Sequence, residues 1–145
     1  MSNHLPVLIV GAGPAGLLMA CELARHGIAF RIIDKKSTHT PGSNATWIQT
    51  RTIELLDQIG LAPGFLRVGH PCKAINLYID GKSLATIPLN DIDSIYPFIL
   101  MLPQCDTEKL LIKRLNEFNG KVEWSSELTD IKQEGSNVQS TVNLA

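Results

Sequence analysis

The sequence has no cysteine pairing that could frame a metal or a disulfide. Cys21, Cys72 and Cys105 are odd in number and far apart, with no C-x-x-C among them. That excludes a zinc ribbon and a disulfide-knitted secreted scaffold, and a reducing cytoplasm is the expected setting. An excess of either charge is missing as well: 13 Lys and Arg face 14 Asp and Glu. Without a basic stripe, nucleic acid is not an expected partner. No hydrophobic run is long enough to span a membrane. Leu5–Cys21 carries no charge, but three glycines and a proline interrupt it and no Lys or Arg precedes it; a span needs about 20 apolar residues. Internal repeats and low-complexity tracts are absent. So is a catalytic constellation. His4, His26, His39 and His70 are scattered, with no Ser or Cys partner in view, and read as surface histidines. Cys21 reads as a small helix-packing residue.

What is there suits one globular domain. The chain has 145 residues, 44% hydrophobic and 19% charged, enough to bury a core. Its most informative stretch is Val7 to Gly16, VLIVGAGPAG. Pro6 to Val10 is a short apolar run of the kind that forms a strand buried on both faces. Leu17, Leu18, Cys21 and Ala24 then recur at helical spacing between Pro14 and His26. Pro14 suits a first helical turn, and Gly27 supplies the stop. The glycines Gly11-x-Gly13-x-x-Gly16 therefore sit in a strand-to-helix turn. Gly11 permits the bend, Gly13 lets a phosphate approach the backbone, and Gly16 lets the helix pack on the strand. With Ala15, they would present N–H groups to a diphosphate, and the helix that Pro14 opens would add the positive end of its dipole.

A second strand, Ile28 to Ile33, leads to Asp34. It lies close to the ~20 residues beyond the glycines expected of an acid that accepts ribose hydroxyls. Asp34 would repel a ribose 2′-phosphate; Lys35 and Lys36 weaken that exclusion. The fingerprint alone does not separate FAD from NAD, nor an oxidoreductase from a module that only holds a nucleotide.

Further along, Lys35 to Ile48 reads as a loop containing Pro41-Gly42-Ser43-Asn44. Thr50 to Ile59 reads as a helix with Ile53, Leu56 and Ile59 on one face and Gly60 ending it. Arg51 lies in its first turn, where the dipole does not favour a cation; a phosphate contact and a solvated side chain are both open. Ala74–Ile79 and Ser83–Pro88 flank Asp80-Gly81, a strong hairpin signal. Asn90–Tyr96 is a loop and Phe98–Leu102 a strand. The spacing predicts a helix over Thr107–Asn119, with Asp106 as its cap, Gly120 as its stop and a stripe of Leu110, Leu111, Leu115 and Phe118. Lys121–Trp124 reads as a third parallel strand. Leu128–Gln133 and Val138–Leu144 read as a hairpin.

Taken together, VLIVGAGPAGLLMACELARHGI with Asp34, TRTIELLDQIGL, and LPQCDTEKLLIKRL followed by VEW resemble the N-terminal part of FAD-dependent aromatic hydroxylases, the phenol, p-hydroxybenzoate and polyketide monooxygenases. The first motif is widespread; the other two are more specific. The resemblance implies an α/β, Rossmann-like (glutathione-reductase-type) FAD-binding domain, truncated, with part of a substrate-domain β-sheet inserted. The implied division is residues 1–72 for the ADP-binding βαβ and following helix, 73–103 for the inserted hairpin and strand, and 104–145 for the return helix, third strand and hairpin. Gly11, Gly13 and Gly16 would hold the pyrophosphate, Asp34 the adenosine ribose, Arg51 the FAD phosphates and Gln104 the flavin side, with Pro14, Ala15 and Lys35 as further cofactor-binding positions. FAD would be the cofactor, NAD(P)H the reductant, and a small aromatic compound the substrate. Family members are far longer. The chain is therefore expected to be a fragment, inactive alone, to hold at most the ADP half of FAD, and to self-associate through an exposed sheet edge.

Overall fold

The computed structural model describes residues 5–39, 41–42 and 45–144. His4 and the Ser43-Asn44 part of the expected loop lie outside the described residues. In chain order, the first half comprises β1 (Val7–Val10), α1 (Pro14–Arg25), β2 (Phe30–Ile33), β3 (Trp47–Ile48), α2 (Thr50–Gln58), α3 (Ala62–Val68) and β4 (His70–Cys72). The second comprises β5 (Ala74–Ile79), β6 (Lys82–Pro88), β7 (Ile99–Met101), α4 (Gln104–Glu117), β8 (Val122–Glu123), β9 (Ser126–Glu134) and β10 (Asn137–Leu144). The chain divides into two compact units, Met1–Gly42 with Thr107–Ala145, and Ser43–Asp106.

In the first unit, β2 lies between β1 and β8 in a parallel three-stranded sheet. Ile32 and Ile33 on the central strand are fully buried, as expected of a strand covered on both faces. Helix α1 turns Leu17, Ala20 and Cys21 inward, and α4 buries Leu111 and Leu115. The Cys21 thiol donates to the Leu111 carbonyl at 3.5 Å. Burial pushes that thiol up to about 11, so it is a packing group and not a nucleophile. The hairpin β9–β10 turns at Gly135, whose φ is +61°.

In the second unit, the short strand β7 lies between β3 and β4, antiparallel to both. Its Leu100 is fully buried and is joined in the core by Ile53, Leu56, Ala62, Phe65 and Leu102. A Cβ on Gly69 would come 2.7 Å from Leu100 Cγ, so this glycine is needed for close packing. Strands β5 and β6 form a separate two-stranded hairpin. Asp80 and Gly81 at its tip both have positive φ, +49° and +74°, the conformation that a two-residue turn of this twist requires.

Four sequence expectations are corrected. Strand β2 starts at Phe30, because Ile28 N–H is still bonded to the Leu23 carbonyl at the helix exit. The expected loop over 35–48 contains β3. Helix α4 starts at Gln104, so Asp106 lies in its first turn and is not the cap; an acid is favoured there by the dipole. At its other end Asn119, with φ +61°, takes the left-handed position expected of Gly120. Gly120 serves a different purpose: a Cβ there would overlap the Leu115 side chain. Helix α3 and strand β4 were not foreseen.

Candidate functional site

The site is built around the β1–α1 turn. Gly11 has φ +103°, a value L side chains avoid, and its N–H is tied to the Ile33 carbonyl of β2 at 2.8 Å. A Cβ on Gly16 would overlap the Gly11 carbonyl oxygen. Helix and strand can therefore meet at this angle only with glycine at position 16. Gly13 is the residue preceding α1, in extended backbone, and Pro14 occupies the first helical turn. No side chain caps the helix and no acid lies in its first turn.

The N–H groups of Gly13, Ala15 and Gly16 have no acceptor among the described residues; the first turn of a helix leaves such donors over. A Cβ on Gly13 would meet nothing within 4 Å. Donors without acceptors, open space at Gly13, no acid in the helix's first turn and the dipole's positive end fit the diphosphate of a dinucleotide such as FAD.

Asp34 closes the site from β2. Its Oδ2 accepts the Ala12 N–H at 2.7 Å and its Oδ1 accepts the Lys36 N–H at 2.9 Å. A carboxylate has about four lone-pair sites, so each oxygen keeps capacity for a ribose hydroxyl. The sequence placed Asp34 near the turn; the structure puts its carboxylate on the turn's own amide. The Lys35 side chain is 72% exposed, with Nζ 4.0 Å from Glu127 Oε1.

The segment following β8 completes this corner, and sequence reasoning did not foresee it. Asp34 N–H donates to the Glu123 carbonyl, Ser126 N–H to the Asp34 carbonyl and Ser125 N–H to the Lys36 carbonyl, at 2.8–3.0 Å. One strand over, Arg31 Nε and Nη2 clasp both oxygens of Glu123 at 2.8 and 2.6 Å. The Arg31 guanidinium holds the Glu123 carboxyl below its ordinary value. Residues this far apart in sequence carry no local signal of their pairing.

The remaining expected site residues belong to the second compact unit. Arg51 lies in the first turn of α2, exposed, with Nη1 donating to Glu54 Oε2 at 2.8 Å. Gln104 opens α4, its N–H bonded to the Ala45 carbonyl at 2.9 Å. His26 and His70 are exposed and His39 is half-buried. Among the described residues, no cluster of His, Cys, Asp or Glu could hold a metal. No described helix is long and apolar enough to cross a membrane.

Known proteins are similar to this chain in sequence and fold. A flavin-dependent monooxygenase of Mycobacteroides abscessus is 36% identical over 138 residues, covering 89% of this chain and 29% of the relative. The anhydrotetracycline hydroxylase structure from Streptomyces rimosus is 31% identical, with a TM-score of 0.81 over 95% of this chain and 28% of its own. The p-nitrophenol 4-monooxygenase of Pseudomonas putida DLL-E4 shares the fold, with a TM-score of 0.91 at 24% identity, over 98% of this chain and 37% of its own. The chain thus spans less than a third of the length of the curated relatives it matches. The model of the FAD binding domain family matches residues 4–145, nearly the whole chain, and the chain accordingly belongs to that family.

Proposed function

We propose that this chain is the FAD-binding N-terminal portion of a flavin-dependent monooxygenase that hydroxylates a small aromatic, phenolic or polyketide-like substrate with NAD(P)H and oxygen. The observation that carries the reading is the 2.7 Å bond from Ala12 N–H to Asp34. It joins the two halves of a dinucleotide site, amides for the diphosphate and a carboxylate for the ribose. The architecture is read as a Rossmann-like, glutathione-reductase-type domain carrying part of a substrate-domain sheet. Residues 1–72 form the ADP-binding part, 73–103 the inserted hairpin and strand, and 104–145 the return segment. When bound, FAD supplies the redox chemistry. The protein binds and orients: Gly11, Gly13, Pro14, Ala15 and Gly16 line the diphosphate turn, Asp34 accepts the ribose hydroxyls, and Lys35 borders them. Arg51 is assigned to the FAD phosphates and Gln104 to the flavin side, by likeness to the family's motifs.

Two ribose hydrogen bonds to a carboxylate are worth about 1.5–3 kcal/mol each. Asp34→Ala is therefore expected to weaken ADP and FAD binding by at least about tenfold, read by calorimetry and by quenching of flavin fluorescence. Unchanged affinity for both ligands would overturn the assignment of the site.

A further inference from the structure

Helix α2 is fastened to the segment that precedes β7 along one polar face. Thr50, Glu54 and Asp57 share that face at helical spacing. Thr50 Oγ1 donates to the Phe98 carbonyl at 3.1 Å, Ser94 Oγ donates to Glu54 Oε1 at 2.7 Å, and the Tyr96 hydroxyl meets Asp57. Ser94 Oγ also accepts the Tyr96 N–H at 3.1 Å, so its hydroxyl is oriented toward Glu54. The second oxygen of Glu54 takes Nη1 of Arg51 at 2.8 Å. The two partners differ in exposure, 26% for the Glu54 side chain against 70% for Arg51. Glu54 is thus the anchored member and Arg51 the member that reaches out.

An isolated exposed pair at this spacing holds a long side chain only weakly. Ser94 changes that by fixing the acceptor. One Nη1–H is used on Glu54, and a guanidinium has five N–H donors in a planar fork. The others remain for an anion.

We propose that Glu54 is a positioning residue for Arg51, and that Ser94, by fixing Glu54, makes the segment before β7 the part of the fold that sets where the guanidinium stands. The proposal rests on the assignment of Arg51 to the cofactor phosphates given above. It adds two residues that touch neither phosphate nor flavin. Bonds from Ser94 and Arg51 hold the Glu54 carboxyl below its ordinary value, so it stays ionised at neutral pH.

Two measurements test it. Side-chain 15N relaxation reads the order of each arginine Nε–H without any ligand. Ser94→Ala is expected to loosen Arg51, while Arg25 and Arg114, paired to Glu22 and Glu117 on their own helices, stay unchanged; Ser94→Thr restores order. An Arg51 equally ordered in Ser94→Ala overturns the proposal.

The second measurement is FAD affinity with the full chain. Arg51→Ala is expected to weaken binding about tenfold, and Glu54→Ala and Ser94→Ala about two- to fivefold. In the Arg51→Ala background, either further change should alter affinity by less than about 1.5-fold, since each acts through that side chain. The salt dependence of binding should flatten in all three single variants. If Arg51→Ala leaves affinity unchanged, the phosphate assignment fails and the proposal with it. If Arg51→Ala weakens binding while Glu54→Ala is silent, or its effect simply adds to that of Arg51→Ala, the proposal alone fails. Thermal midpoints of each variant report whether the helix has merely come loose.

Discussion

At the scale of single residues, the corner formed by Gly11, Gly16 and Asp34 is over-determined. Three backbone bonds and one carboxylate hold it, and the crossing of α1 on β1 leaves no room at Gly16. Gly16→Ala would force a methyl group against the Gly11 carbonyl. It is expected to cost about 1–3 kcal/mol, the range of overpacked interiors, read as a shift of the urea unfolding midpoint. It should also weaken ADP binding, because the turn must open to accept the methyl group.

The Arg31–Glu123 pair gives a pH signature. Glu123 has a folded value depressed below 4.5. Its contribution is therefore present above about pH 4.5 and fades as pH falls through the folded value. Both side chains are partly exposed, 35% and 40%, so the pair is worth only about 0.2–1 kcal/mol. Glu123→Gln is expected to be less stable than the parent by that amount at pH 7, with the gap closing toward pH 3 in paired denaturation curves. A gap that widens in acid would contradict the sign. Asp34 was legible because its spacing from the glycines has a mechanism behind it. Glu54 lies three residues from Arg51, a spacing that signals a helical ion pair. Ser94, like Glu123, is distant in sequence and could not be found that way.

At the scale of elements, what was legible follows from local periodicity and turn chemistry. The strand–helix–strand opening, the Asp80-Gly81 hairpin and the α2 stripe of Ile53 and Leu56 each carry a pattern inside a short window. Helix α3 carries none. Its seven residues, APGFLRV, include Pro63 and Gly64, which punctuate chains more often than they build helices. It forms because Ala62 and Phe65 are buried in the core of their unit, a tertiary reason that outweighs propensity. Strands β3 and β4 have two and three residues and exist through pairing with β7, so no alternation could reveal them. The end of α4 was misread because glycine and asparagine both enter the left-handed region, and packing against Leu115 claimed the glycine for the next position. The hairpin β5–β6 offers a prediction of its own. Gly81→Val puts a branched side chain at φ +74°, at a cost of roughly 1–2 kcal/mol. Amide exchange should quicken across both strands and leave the parallel sheet unchanged; uniform exchange throughout would show that the hairpin is not a separate cooperative element.

At the scale of the whole molecule, the glycine turn was readable from the first residues and the family from the later TRTIELLDQIGL and LPQCDTEKLLIKRL stretches, whereas the clasp between the β2 end and the segment after β8 was not. Apolar side chains remain in the open: Tyr78, Ile79 and Leu84 on β5–β6 are each more than half exposed. The parallel sheet presents β1 and β8 as its edges among the described residues. Unpaired edges and bare apolar faces favour association with further chain. The 145-residue chain is expected to sediment with a weight average that rises with concentration. A single monomeric boundary at all loadings would refute this.

The clasp also orders events during synthesis. Arg31 and Glu123 are 92 positions apart, with the whole second compact unit between them. At about 5–20 residues per second, a ribosome takes roughly 5–20 s to deliver the later partner after the earlier one has emerged. For that interval the newborn corner has its glycine turn and its acid, but the outer edge of β2 is bare and the Asp34 main-chain groups are wet. A nascent chain arrested short of Val122 should accordingly be bound by folding helpers and cut by proteases more readily than one extended past Ser126.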